Sequence, residues 1–398
     1  MKTLLKNLKS LLIGSNSKSK QQYSSEPVPP TPTPVESTQQ AIAEESVTKS
    51  LSATPAPVES IDPAIAQKIH YGKAVIRHGE LPTDFSINLG VAPCNHSCLF
   101  CPQSVEKPKK TELLDLELLR KVLEEIPEEN LRLNISSYSE TITVPNLVPA
   151  VKLMKTVRPK LPVIMATNGS IFRERVIEEL IDAGLDHYSY SFDAANRDDY
   201  KMLMQVDDYE KVWHNLERIV EMRNRKNSFM KITTHIMHFK GVEEDFAKFK
   251  EYWQDKLDGV VLRPVSNWGS DELGLMQQLK ENGFVAAHET PKERFPCTSI
   301  FMHFKLQYDG LYYPCVAAVP AYDKHLVPSL GHARDMTWTE AWNRLSEMRR
   351  AHLEGRWDNY ECCRTCNVWS MWQNMWFQDT YADGTKSSFY LKEIEYAQ

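Results

Sequence analysis

Residues 94–101 read Cys94-Asn95-His96-Ser97-Cys98-Leu99-Phe100-Cys101, directly after an apolar, strand-like run at 85–91 (FSINLGV). A C-x3-C-x2-C spacing puts three thiolates on one tight loop, enough to hold three corners of a [4Fe–4S] cube. The fourth iron then has no protein ligand nearby. An open coordination position is what a catalytic metal site keeps and a structural one closes. Zinc is the competing reading of the loop, and it would need a fourth ligand such as His96.

Outward from this loop the chain alternates between two periodicities. Strands are expected at 85–91, 131–137, 162–166, 187–192, 231–238 and 259–265, and helices at 113–126, 147–157, 172–183, 209–223 and 243–253. This alternation predicts an α/β fold, a parallel sheet with helices outside. Six strands are too few to close an eight-stranded barrel, so an open partial (β/α)6 barrel is the natural form. Its cofactor site belongs at the C-terminal ends of the strands.

The cysteine loop, with aromatic Phe100 just before the last cysteine, resembles the signature of the radical S-adenosylmethionine (SAM) superfamily, and the likeness runs over about residues 85–270. The resemblance implies that Cys94, Cys98 and Cys101 hold a SAM-binding [4Fe–4S] cluster whose open iron is chelated by SAM. An electron from the cluster then cleaves SAM, and the resulting 5′-deoxyadenosyl radical removes hydrogen from a substrate. Phe100 is expected near the adenine. Family members usually follow strand two with a Gly-Gly-Glu-Pro-like turn. Here Ser139-Glu140-Thr141 keeps the acid but lacks the glycines and the proline, and the resemblance gives Glu140 to the SAM amino group. Thr167-Asn168-Gly169 is similar to the family's TNG turn, which puts Asn168 near SAM; Asn-Gly is also an ordinary turn pair. Ser191 and Asp193 end strand four, where the family places polar contacts to the SAM ribose or carboxylate. They alternate to one side of a strand, although Asp193 also suits a cap for the next helix.

The eight cysteines are clustered rather than evenly spread, six of them within 94–101 and 362–366, which suits metal ligation better than loop-closing bridges. Five remain after the first loop: Cys297, Cys315, Cys362, Cys363 and Cys366. Gly310-x4-Cys315 after an upstream cysteine resembles the SPASM and "twitch" extensions of radical SAM enzymes, small β-hairpin units that carry auxiliary clusters. Tyr308-Asp309-Gly310-Leu311 reads independently as a hairpin turn. A full SPASM unit needs at least seven cysteines for two clusters, so one auxiliary [4Fe–4S] cluster on Cys297, Cys315, Cys363 and Cys366 is expected. Cys362 is an alternative to Cys363, and tetrahedral zinc is the competing metal. His303, His325, His332 and His352 read as packing or surface histidines, and Trp369, Trp372 and Trp376 as packing.

Three regions follow: a leader and linker at 1–65, a core domain at 66–285, and a cysteine-rich α+β extension at 286–398. Residues 21–60 are rich in Pro, Ser, Thr, Gln and Glu, too polar to order themselves. Leu4, Leu8, Leu11 and Leu12, interspersed with Lys2, Lys6 and Lys9, fit an amphipathic helix at 1–13 in weak contact with a membrane surface. No apolar run is long enough to span a membrane. The net charge of −6 gives no general case for a nucleic-acid partner. Thiolate-held clusters belong in a reducing compartment, so the cytoplasm is expected.

The single-cluster extension resembles that of SAM-dependent sugar-alcohol dehydrogenases, which implies oxidation of a carbohydrate or cyclitol. An electron donor such as flavodoxin or ferredoxin is the implied partner. A peptide-modifying maturase is the second reading, although no peptide-docking domain is recognisable in residues 1–65. A non-enzymatic iron–sulfur carrier is the third; a carrier would close every iron position, which the three-cysteine loop does not.

Overall fold

Strand β1 (Asp84–Val91) is buried along nearly its whole length, because parallel neighbours flank it and the sheet is covered on both faces. The described residues of this computed structural model are 74–76, 81–128, 131–292, 294–315, 327–380 and 386–390. The expectations for residues 1–65 and for His325 fall outside them. After β1 come β2 (Glu112–Leu113), β3 (Arg132–Tyr138), β4 (Val163–Thr167), β5 (His187–Asp193), β6 (Lys231–Met237) and β7 (Gly259–Arg263). The order β1-β3-β4-β5-β6-β7 is parallel throughout. The crossovers carry α1 (Leu116–Glu125), α2 (Leu147–Val157), α3 (Glu174–Asp182), α4 (Arg197–Met204), α5 (Tyr209–Arg225) and α6 (Glu243–Trp253). This is the expected open partial barrel.

The helix expected at 113–126 starts later. Gly90 and Val91 pair antiparallel with Leu113 and Glu112, which draws those two residues into β2. Asp115 then caps α1 by accepting the Glu117 N–H at 3.0 Å. Leu118, Leu119, Val122 and Leu123 turn one face of α1 into the core.

The sheet does not stop at the barrel. Helices α7 (Leu275–Glu281) and α8 (Ser299–Met302) lead to β8 (His303–Leu306), which pairs in parallel with β1 from Asp84↔His303 to Ile87↔Leu306. β9 (Leu311–Tyr313) folds back on β8, and β10 (Gly331–His332) pairs with β9. The expected hairpin turn is there: Gly310 has φ +82° and donates its N–H to the Gln307 carbonyl at 2.9 Å. α9 (Trp338–Arg344) begins with a reciprocal Thr337–Glu340 capping box, and α10 (Ser346–Leu353) and α11 (Glu361–Arg364) follow. An aromatic cluster ties β1 to these elements. Phe85 and Phe304 have ring centroids 4.8 Å apart, and Phe304 lies 5.3 Å from Trp338 and 5.5 Å from Trp342. Residues Ala74–Ile76, Trp376–Thr380 and Lys386–Tyr390 form a separate three-stranded sheet. Among the described residues no helix is long and apolar enough to cross a membrane.

Candidate metal centres

β1 ends at Val91 and the cysteine loop leaves its C-terminal edge, as the barrel geometry requires. Gln103, 2% exposed, fixes the base of the loop. Its Oε1 accepts the Cys94 N–H at 2.8 Å, and its Nε2 donates to the Ala92 carbonyl at 3.1 Å and the Tyr138 carbonyl at 2.7 Å. One buried amide thus joins the loop to the ends of β1 and β3. The far side is tied by Trp268 Nε1, which donates to the Phe100 carbonyl at 2.7 Å, and by Gln278 Nε2, which donates to the Leu99 carbonyl at 2.9 Å. Phe100 itself is buried in the core. His96 is buried beside Asp208, with Nε2 3.8 Å from the carboxylate.

None of the eight cysteines is in a disulfide. Burial pushes the thiols of Cys94, Cys98 and Cys101 up, the last to about 11. Such thiols keep their protons until a cationic centre binds and displaces them. Three thiols on one braced loop fit a cube with one open iron.

The residues expected around SAM gather at the ends of β3, β4 and β5. Glu140 is buried, and its carboxylate accepts from Ile142 N at 3.1 Å, Asn168 N at 2.7 Å and the Thr167 hydroxyl. It therefore joins the end of β3 to the end of β4. Burial raises its pKa against the pull of these three donors. A carboxylate accepts about four hydrogen bonds, so one position remains. Asn168 Nδ2 lies 3.9 Å from the Cys94 sulfur and donates to Asn95 at 3.1 Å, which brings the TNG turn against the cluster loop. Gly169 is required there. Its φ is +73°, and an added Cβ would fall 1.9 Å from the Tyr190 ring.

Ser191 and Asp193 do not continue one regular strand face. A bulge falls between them, and Asp193 adopts φ +66°, a conformation rarely held by a non-glycine residue without a local reason. The bulge turns Asp193 against His235 of β6, with Oδ1 3.0 Å from Nε2 but no aligned hydrogen bond. Both side chains are buried, and the Asp193 charge is felt by the thiols of Cys98 and Cys101. The cap of α4 is Asn196, which accepts the Asp199 N–H at 2.9 Å, so the capping reading of Asp193 is overturned.

In the extension, Cys297, Cys315, Cys362, Cys363 and Cys366 line a single cavity. Among the described residues no three His, Cys, Asp or Glu side chains converge as on a single ion; the thiols stand around a space instead. Burial raises Cys297 to about 11 and Cys366 to about 12. The sulfurs of Cys362 and Cys363 are 3.8 Å apart, and both are within reach of the cavity. Arg294 and His352 also line it, and Arg294 Nε and His352 Nε2 are buried without a hydrogen-bond partner. A thiol-lined cavity with unanswered N–H groups fits an iron–sulfur cluster, whose sulfurs accept hydrogen bonds. His303 donates to or accepts from the Ser86 hydroxyl at 2.7 Å, and His332 meets the Asp309 carbonyl at 3.0 Å, so both pack as expected.

Gln103, Trp268, Gln278 and His235 escaped sequence reading. His235 carried a signal, an ionisable ring within the buried run KITTHIM; the others carried none.

The model of the radical SAM superfamily matches residues 92–252, and that of an iron–sulfur cluster-binding domain, SPASM, matches residues 297–367. A GTP 3′,8-cyclase of Desulforamulus reducens is 23% identical over 202 residues, covering 49% of this chain and 58% of the cyclase. An S-adenosyl-L-methionine-dependent 2-deoxy-scyllo-inosamine dehydrogenase of Niallia circulans is 28% identical over 97 residues, covering 24% of this chain and 39% of the dehydrogenase. The chain thus spans less than two thirds of the length of either curated relative. Streptococcus suis SuiB bound to S-adenosylmethionine superposes with a TM-score of 0.52 at 12% identity, over 78% of this chain and 75% of SuiB, a likeness of fold.

Proposed function

The chain belongs to the radical SAM superfamily and carries a SPASM extension, and from that premise we propose that it oxidises a carbohydrate or cyclitol with the help of one auxiliary cluster. The family holds a SAM-binding [4Fe–4S] cluster, and the SPASM domain implies auxiliary iron–sulfur chemistry. In this reading Cys94, Cys98 and Cys101 hold the first cluster, and Cys297, Cys315, Cys363 and Cys366 the second, with the barrel domain at 66–285 and the extension at 286–398. When bound, the first cluster and SAM together supply the hydrogen-abstracting radical.

The chain's own residues bind, orient and exclude water. Gln103, Trp268 and Gln278 hold the cysteine loop rigid. Glu140 offers its remaining acceptor position to the SAM amino group, and Asn168 and Ser191 stand beside it. Asp193 contacts the polar part of SAM, with His235 compensating the carboxylate until SAM arrives. Phe100, buried under the loop, lies on the adenine side. The substrate loses a hydrogen atom from carbon, a proton from its hydroxyl and one electron, which leaves a ketone. The electron is where a second metal centre is needed.

The observation that carries this reading is the single cavity shared by all five thiols of the extension, because five cannot fully ligate two cubes. Similarity to the Niallia circulans dehydrogenase supports a cyclitol-like substrate. A peptide substrate is the second reading; SuiB, which is similar in fold, is also known in a structure bound to the precursor peptide SuiA. The cytoplasm, where thiols stay reduced, is the compartment that suits eight cysteines without a disulfide. The test is anaerobic incubation of reconstituted protein with SAM, dithionite and panels of cyclitols, nucleotides and peptides. A cyclitol product lacking two hydrogen atoms, formed with 5′-deoxyadenosine, is expected. Turnover of only GTP or only peptides would overturn the substrate class.

A further inference from the structure

His352 sits on α10 with no exposed surface, facing the cysteine cavity of the extension. Its Nδ1 accepts the backbone N–H of Cys297 at 3.2 Å. An accepting ring nitrogen carries no proton, so the proton of this imidazole is on Nε2. That N–H is buried and has no acceptor among the described residues. A buried donor left unanswered is destabilising, and the ring persists in a cavity lined by sulfur. Arg294 repeats the pattern. Its Nη2 is anchored on the Cys363 carbonyl at 2.7 Å and its guanidinium carbon lies 4.9 Å and 5.4 Å from the Trp357 and Trp369 ring centroids, while Nε has no acceptor.

We propose that His352 donates a hydrogen bond from Nε2 to a sulfur of the auxiliary iron–sulfur cluster, and that the ring serves the cluster as a donor and not as an iron ligand. The inference rests on the reading of this cavity as a cluster site. Ligation through Nε2 would require the proton on Nδ1, where it would oppose the Cys297 N–H. Hydrogen bonds to cluster sulfurs favour the reduced, more negative state and so raise the reduction potential. His352 is thus a positioning residue that sets how readily the auxiliary site takes an electron from the substrate.

The test uses full-length protein with Cys94, Cys98 and Cys101 replaced by Ala, so that only the auxiliary signal remains. Iron content, EPR-monitored potentiometry, and proton and nitrogen hyperfine spectra are recorded for this parent and for added His352→Phe or His352→Gln. The parent should hold about four irons, with an exchangeable proton coupled to the cluster and only weak nitrogen coupling. In His352→Phe that proton should vanish. The ratio of reduced to oxidised cluster at fixed potential should fall about tenfold, 59 mV for a one-electron couple. His352→Gln, which can both accept and donate, should recover most of the shift.

A parent without iron would sink the cluster reading and this inference with it. A parent with four irons and strong nitrogen coupling would make His352 a ligand and overturn the inference alone. So would a parent whose exchangeable proton and potential survive His352→Phe. If His352→Phe loses its iron, the hyperfine spectra of the parent decide on their own.

Discussion

Cys94 N–H reaches Gln103 Oε1 at 2.8 Å, a hydrogen bond inside the very loop whose thiols are to carry iron. Replacing Gln103 by Leu takes the acceptor from this N–H and the side-chain donor from the Ala92 carbonyl, while the Tyr138 carbonyl keeps the Ala92 N–H at 3.1 Å. Each unsatisfied buried group costs about 1–3 kcal/mol. Gln103→Leu should fold with a lowered melting temperature and lose iron from the first cluster on anaerobic gel filtration. Wild-type iron retention would show that the brace is dispensable.

Replacing Cys94, Cys98 and Cys101 by Ala should abolish formation of 5′-deoxyadenosine while about four irons per chain persist. Mössbauer and metal analysis read this directly. About one zinc and no iron in that variant would end the auxiliary-cluster reading and leave the first site untouched.

In the proposed reading Asp193, beside His235, bears on SAM rather than on iron. Asp193→Asn should keep full iron content and weaken SAM binding about tenfold, the effect of one charge-assisted contact. Equilibrium binding of SAM to the oxidised protein measures it. Unchanged affinity would remove Asp193 from the SAM site.

Gly169→Ala puts a methyl group into the Tyr190 ring at a backbone angle of +73°. The Tyr190 hydroxyl lies 2.9 Å from the carbonyl oxygens of both Gly169 and Val212 and has one proton to share between them, so the ring cannot retreat without giving up that contact. A loss of about 2–4 kcal/mol is expected in denaturant unfolding. Tyr190→Phe in the same background should relieve little, because the ring carbons clash as well.

His303 makes stability depend on pH. Burial lowers its pKa from 6.5 to about 4. Between these values the unfolded chain holds the proton and the folded one does not, so stability rises with pH across this window and is lost as pH falls. The gap corresponds to about 3 kcal/mol, fully felt below pH 4. Comparing wild type with His303→Asn at each pH cancels the contribution of the clusters. The wild-type curve should be the steeper between pH 4 and 6.5, and parallel curves would refute the assignment.

What could be read in advance was local. Cys94, Cys98 and Cys101 lie within one loop, and the apolar runs of β1 and β3 to β7 announce themselves by composition, as do their crossover helices. Gln103 could not be read, because one of its acceptors is the Tyr138 carbonyl, on a strand the sequence does not link to it. His352 could not either, since its partner Cys297 lies 55 residues away. The start of α1 was misplaced because β1 had backbone groups free at Gly90 and Val91, and strand pairing there outweighs the helical pattern of Glu112 and Leu113. The bulge at Asp193 broke an alternation that the run HYSYSFD shows no reason to break.

The pairing of β8 with β1 has a consequence in time. β1 is the first strand of the sheet to be synthesised, and its partner at 303–306 comes more than 200 residues later. At about 5–20 residues per second, the nascent chain carries one bare edge of β1 for on the order of ten to forty seconds. An open strand edge is an invitation to wrong pairing, and here it runs from Asp84 to Ile87, the half of β1 farther from the cysteine loop, while Gly90 and Val91 find their partner early in β2. Translation itself thus sets an interval in which half of β1 waits for its partner and a chaperone has something to guard.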